Sequence, residues 1–255
     1  MPEPSLETRN LTIRFGGHVA VNAVSLAFVP GELTVIVGPN GAGKTTWFNL
    51  VSGQLRPSAG TILKDGRDIT ALSPSARAKA GIGRAFQLTN LFPKLSVIEN
   101  IRLAVQARAG LAPRLLRAAP AFRELARDAE RHLAAARLER MAGLPVHALP
   151  HGDQRKLEVA LLLAMQPDIF MFDEPTAGMS VDEAPVILDL IAEIRRDVSK
   201  TVLLVEHKMD VVRALADRIV VLHNGELVAD GKPDTVMNSA IVREIYLGIP
   251  AEEAA

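Results

Sequence analysis

Gly38-Pro39-Asn40-Gly41-Ala42-Gly43-Lys44-Thr45 fits the pattern G-x-x-x-x-G-K-[ST] in full. The apolar run Leu33-Thr34-Val35-Ile36-Val37 before it reads as a buried strand, and Lys44 to Ser52 after it reads as a helix that Gly53 ends. Strand, glycine-rich loop and helix in that order make a phosphate cradle. The glycines let backbone N–H groups converge on phosphate oxygens without side-chain collision. The helix N-terminus adds partial positive charge and Lys44 a full one. The Thr45 hydroxyl suits Mg²⁺, and Thr46 continues the cradle. The stretch is therefore expected to bind a nucleoside triphosphate, against the alternative of a chance glycine-rich turn.

Outward from the loop, residues 6 to 28 alternate polar and apolar and turn at Gly16-Gly17, as short antiparallel strands do. Asp65-Gly66 and Asn224-Gly225 are two more hairpin signals. Leu33–Val37, Ile169–Phe172 and Val202–Val205 are apolar throughout, as parallel strands buried on both faces are. Helical patterns fall at about 44–52, 74–80, 97–109, 121–141, 153–165, 182–196 and 208–216. Strands alternating with helices predict an α/β domain around a parallel sheet. Residues 106 to 141, rich in Ala and Arg with interleaved acids, read as an inserted helical subdomain with a solvated face; a membrane-surface or partner role is the alternative.

Composition narrows the classes. The 255 residues, 48% of them hydrophobic, suffice for one large domain or a core with a small subdomain. Lys+Arg and Asp+Glu are both 29, which argues against a partner held by bulk positive charge, nucleic acid above all. With zero cysteines there is no disulfide and no thiolate metal site. Met1-Pro2-Glu3-Pro4 starts no signal peptide, and no stretch reaches the ~18 apolar residues of a membrane span, so a soluble protein able to dock on a membrane partner is expected.

Three further signals choose the chemistry. Ile169-Phe170-Met171-Phe172-Asp173-Glu174 is an apolar strand ending in two carboxylates, at the C-terminal strand ends of a parallel sheet, where ligands collect. Asp173 is placed to hold Mg²⁺; Glu174, alternating to the other side, is placed to orient or deprotonate an attacking water. Two acids capping a strand in solvent is the bland alternative. His207 follows Val202-Leu203-Leu204-Val205-Glu206, another core strand, and suits contact with a terminal phosphate. His18, His132, His147 and His223 carry no such context. Gln87, between Phe86 and Leu88, offers an amide oxygen to Mg²⁺ and to water.

With these motifs in this order, the chain resembles the ATPase subunit of an ATP-binding-cassette (ABC) transporter from Leu11 to about Gly231. Walker A is Gly38–Thr45, the Gln loop Gln87, Walker B Ile169–Glu174 and the switch histidine His207. Within the family, Gly83–Ile101, Leu149–Glu158, Pro175–Ser180 and Tyr246-Leu247-Gly248 are similar to branched-chain amino-acid uptake ATPases, a pattern that urea and amide importers share. The resemblance implies a RecA-like P-loop NTPase core with an N-terminal antiparallel β subdomain and an inserted helical subdomain. As a single domain over 1–255, the core would take about 1–90 and 160–235, the helical subdomain about 91–159 and the tail 236–255.

It also implies roles. Glu174, His207, Lys44 and Gln87 would serve catalysis. Phe15 would stack on adenine, and Gly38, Pro39, Asn40, Gly41, Ala42, Gly43, Lys44, Thr45 and Thr46 would hold the phosphates of ATP. Thr45, Gln87 and Asp173 would hold Mg²⁺. Pro150, His151 and Gly152 occupy the signature segment that faces the γ-phosphate held by the opposite subunit. The implied partners are membrane permease subunits, met near residues 88–100 through Leu88, Leu91 and Phe92, and a second or related ATPase subunit. A solute-binding protein would be met only indirectly and nucleic acid not at all, with the subunit peripheral on the cytoplasmic face of the membrane. A soluble cassette ATPase working on ribosomes, DNA or metal-cluster assembly is the alternative; most of those carry two cassettes or a long coiled-coil insert.

Two positions depart from the family pattern. The signature, usually L-S-G-G-Q, reads Leu149-Pro150-His151-Gly152-Asp153, so Pro150 offers neither hydroxyl nor N–H. Ser180 stands where many members carry an acid. Both bear on hydrolysis more than on ATP binding.

Overall fold

The structure, a computed structural model, describes residues 3–85, 91–110 and 119–247. The N-terminal elements are β1 (Leu6–Phe15), β2 (His18–Phe28), β3 (Leu33–Val37), α1 (Lys44–Ser52), β4 (Ala59–Lys64), β5 (Arg67–Asp68), α2 (Pro74–Lys79) and β6 (Ile82–Ala85). Three helices follow, α3 (Val97–Arg108), α4 (Ala119–Ala135) and α5 (His151–Met165). The chain then runs β7 (Ile169–Asp173), α6 (Ala184–Arg195), β8 (Thr201–Val205), α7 (Met209–Leu215), β9 (Arg218–His223), β10 (Glu226–Gly231), α8 (Pro233–Met237) and α9 (Ala240–Leu247). It divides into two compact units. The first gathers the residues up to Ile82, Asp168–Glu174 and those from Arg195 on; the second is Gly83–Pro167 with Pro175–Ile194.

The first unit holds a four-stranded antiparallel sheet in the order β2-β1-β4-β5 and the strands β10-β9-β3-β8-β7, in that order, of a second sheet. Phe15 pairs with His18 across the Gly16-Gly17 turn, and His223 with Glu226 across Asn224-Gly225. Asn224 and Gly225 both take positive φ, 49° and 79°, the twist that a two-residue hairpin needs. β3 lies parallel between β8 and β9, and β7 parallel to β8. Every residue of β3, β7 and β8 is buried, which is why their sequences show no alternation.

One apolar cluster joins both sheets to α1 through Phe28, Ile36, Trp47, Phe48, Ile62, Met171, Leu203 and Val220. Trp47 is fully buried between Phe28 and Phe48, with ring centroids 5.6 and 5.9 Å away. Burial of a side chain of this kind stabilises by about 1.5–3 kcal/mol, so α1 is anchored immediately behind the loop that it follows. The far end of α1 is held by Arg77. Its buried guanidinium donates to the carbonyls of Leu50, Val51, Thr70 and Leu72 at 2.6, 2.7, 2.7 and 3.2 Å. A cation at the carbonyl end of a helix also complements its dipole.

In the second unit α3, α4 and α5 pack on one another. Ser96 and Glu99 form a capping box at the start of α3, and Arg108 at its end donates to Asp128 of α4 and to the Ala164 carbonyl of α5. The helix expected over 121–141 stops at Ala135. Arg137 turns to φ 56°, the Leu138 N–H reaches back to the Leu133 carbonyl, and a 3₁₀ turn follows at Glu139–Met141. This is a left-handed helix end built without glycine. β6, α8 and α9 are elements that the apolar patterning did not mark.

Candidate active site

The loop from Gly38 to Gly43 is shaped by close backbone approaches. A Cβ on Gly38 would collide with the Leu222 carbonyl, and one on Gly43 would lie 2.5 Å from the Ala20 carbonyl. Gly43, at φ 95°, is the N-cap of α1, which puts Lys44 and Thr45 in the first helical turn. Lys44 is 8% exposed, and its ammonium donates to the carbonyls of Gly38 and Pro39 at 2.6 and 2.9 Å. Burial pulls its pKa below the ordinary lysine value; the nearby carboxylates of Glu174 and Asp173 act in the opposite direction. An open cavity of about 370 Å³ lies over the loop, lined by Phe15, His18, Ala20, Asn40 to Thr46 and Glu174. Its size is that of a small-ligand site, and the half-exposed ring of Phe15 forms part of its wall.

The strand ends supply acids and an imidazole. Asp173 ends β7 opposite Val205 of β8 and is buried. Glu174 follows at φ 49°, a left-handed conformation uncommon for a side chain of this length, held by its N–H donating to the Val205 carbonyl at 3.0 Å. His207 stands just past β8, its Nδ1 3.9 Å from Glu174 Oε1. Lys44, Asp173, Glu174 and His207 thus gather at one end of the parallel sheet beside the glycine loop, as their sequence positions suggest. Gln87 lies outside the described residues.

The signature segment begins α5. Pro150 is the N-cap and its carbonyl accepts the Gln154 N–H at 3.0 Å, so it stands one residue before the helix rather than in its first turn. His151 and Gly152 open the helix. Asp153, whose charge would oppose a phosphate, pairs with Lys156 at 2.9 Å on its own helix. In the turn ahead of α6, the Glu183 side chain reaches back to Ser180. Glu183 Oε2 accepts the Ser180 N–H at 3.1 Å and its hydroxyl at 2.9 Å, which holds the Glu183 pKa below its ordinary value. The same carboxylate lies against Gly152, where a Cβ would collide with it.

Three site features escape the sequence reading. His18 lines the cavity, although nothing in its local sequence marks it. Ser180 is held by the Glu183 carboxylate three residues on, and the S-x-x-E spacing before an apolar helix that marks such a contact is present in the sequence. Glu206 is buried against His207, which adjacency alone does not reveal.

A parallel sheet with a glycine loop at its carboxyl end, leading into a helix that carries Lys44 and Thr45, defines a P-loop nucleoside-triphosphate-binding fold. The ABC transporter family model matches residues 21–177. The ATP-binding protein LivG of the high-affinity branched-chain amino acid transport system of Escherichia coli (strain K12) is 41% identical over 97% of this chain and 99% of its own length. BraF of Pseudomonas aeruginosa, an ATP-binding protein of the same description, is 38% identical over 97% of this chain and 99% of its own. A nucleotide-free ATP-binding cassette from an ABC transporter superposes with a TM-score of 0.80 at 27% identity, over 96% of this chain and all of that one. MJ0796, a bacterial ABC transporter cassette solved as a dimer, gives 0.76 at 29% identity over 89% and 98%. The chain belongs to the ABC transporter family, as one of its ATPases. No helix among the described residues is long and apolar enough to cross a membrane.

Proposed function

We propose that this ATPase binds Mg-ATP at Gly38–Thr46 and couples its hydrolysis to uptake of branched-chain or similar amino acids through membrane permease subunits. Two such subunits, identical or related, would sandwich ATP head to tail on the inner face of the cell membrane. The observation that carries the substrate class is the 41% identity with LivG across nearly the full length of both chains.

The residues fit ATP and Mg²⁺. The loop N–H groups, the α1 terminus and Lys44 suit the β- and γ-phosphates, and Phe15 suits the adenine face. Thr45, Asp173 and Gln87 are the groups that would hold Mg²⁺, which when bound offsets phosphate charge. Glu174 takes a proton from water as its oxygen bonds to the γ-phosphorus and the bond to the β,γ-bridging oxygen breaks, releasing ADP and phosphate. His207 and Lys44 stabilise the charge of the transferring group. Pro150, His151 and Gly152 would meet the γ-phosphate held by the second subunit. Phe92 suits a permease contact: it is 53% exposed, yet its backbone is pinned at both N–H and C=O by the Asn100 amide, at 2.8 and 3.2 Å. Leu91 flanks it, and Leu88 lies outside the described residues.

Reconstitution of the subunit with its permease partners in liposomes tests the reading. ATP-dependent accumulation of labelled leucine, isoleucine or valine is expected. Accumulation of urea or short amides alone would move the substrate to that class, and ATPase activity indifferent to every permease would favour the soluble alternative.

A further inference from the structure

Glu206 is 1% exposed, immediately beyond β8. Its backbone N–H reaches the Ile36 carbonyl at 3.4 Å, so the chain here is still tied to β3, the strand that leads into the glycine loop. Its Oε2 accepts the backbone N–H of His207 at 3.1 Å and lies 3.7 Å from Nδ1 of the same residue. The His207 side chain itself is 54% exposed. An exposed imidazole on a strand-to-helix connection samples several rotamers, and freezing it on a ligand costs entropy. A carboxylate withdrawn from water is costly unless its oxygens are partnered, and one partner here is the His207 N–H.

We infer that Glu206 is a positioning residue for His207: one buried carboxylate oxygen holds the backbone and faces the ring of the histidine together. Nδ1 is turned inward, toward Glu206 and toward Glu174 Oε1 at 3.9 Å. Nε2, across the ring, is left to meet the terminal phosphate. Orientation of one imidazole nitrogen by a partner of the other is a general device for fixing which nitrogen acts. The inference rests on the reading of His207 as a phosphate contact. It adds that the contact depends on a residue that touches no nucleotide.

The test compares Glu206→Ala, Glu206→Asp and Glu206→Gln with His207→Ala in the full chain. Steady-state ATPase is measured with the permease partners, and Mg-ATP affinity by calorimetry. His207→Ala is expected to abolish turnover. Glu206→Ala and Glu206→Asp, which remove or withdraw the acceptor, are expected to lower kcat about 10- to 100-fold, the usual effect of losing an outer partner that orients an imidazole. Mg-ATP affinity should stay within about twofold, below the tenfold that 1.4 kcal/mol represents. Glu206→Gln keeps an acceptor at the same reach and should restore most of kcat. The aspartate and glutamine variants decide the matter if the alanine variant does not fold. If both keep wild-type kcat while His207→Ala is dead, Glu206 does not position the histidine; so too if kcat merely follows the melting temperature across the series. Full turnover in His207→Ala would instead overturn the reading of His207 itself.

Discussion

The ammonium of Lys44 donates to the carbonyl of Gly38 at 2.6 Å, folding back across the loop that the lysine follows. Two neutral carbonyls, of Gly38 and Pro39, accept from it without neutralising its charge, in a place where burial already disfavours that charge. The β- and γ-phosphates of a nucleotide would add negative charge to that of Glu174 and Asp173 beside it. Lys44→Ala is therefore expected to weaken Mg-ATP binding. A hydrogen bond to a charged group is worth about 1.5–3 kcal/mol, or about 10- to 150-fold in Kd. Calorimetric titration checks it, and an unchanged Kd would contradict the loop assignment at its most specific residue.

Arg77 carries a stability prediction. Its guanidinium serves carbonyls from α1 and from the segment before α2, and burial holds its pKa below the ordinary arginine value, with Asp68 opposing. Arg77→Met keeps bulk and removes every donor. Each buried acceptor left unpaired costs about 1–3 kcal/mol, so urea unfolding should show a loss above about 2 kcal/mol. Arg77→Lys should recover only part of it, because an ammonium cannot fork across several carbonyls. An unchanged unfolding free energy in Arg77→Met would show that water replaces the arginine there.

Pro150→Ser separates two roles. At the N-cap, serine can accept from the first turn of its own helix, worth about 0.5–2 kcal/mol, while loss of proline frees the unfolded chain by about 0.4–1 kcal/mol. The melting temperature without nucleotide should therefore move little. If the position also faces the second subunit's γ-phosphate, the new hydroxyl tightens the ATP-bound pair, best seen by light scattering in a Glu174→Gln background. No gain in ATP-dependent pairing would assign Pro150 to the helix start alone.

Much of this was legible in the sequence because its cause is local or periodic. Leu33–Val37, Ile169–Phe172 and Val202–Val205 are apolar without alternation because they are buried on both faces, and the glycine loop carries its own geometry. Asn224-Gly225 states its turn outright. What remained hidden depends on partners distant in sequence, or on backbone forms that no residue type marks. Arg137 ends α4 in a left-handed turn where a glycine would have announced it. Arg77 finds the end of α1 across 26 and 27 residues. β6 is four residues with a glycine inside, too short for periodicity. His18 becomes part of the cavity only when the Gly16-Gly17 hairpin brings it beside Phe15. Ser180 reads only as a departure from a family pattern until its N–H and hydroxyl are seen donating to Glu183.

Glu174 tests the account most directly. It lies beside the glycine loop in a left-handed backbone conformation, with His207 Nδ1 3.9 Å from its carboxylate. Glu174→Gln keeps the shape and removes the proton acceptor. Steady-state ATPase of this variant with its permease partners should fall by about 10²–10⁴-fold, the usual contribution of a general base, while calorimetry shows Mg-ATP still bound. Turnover within about threefold of wild type, less than 1 kcal/mol in the barrier, would contradict hydrolysis at this strand end.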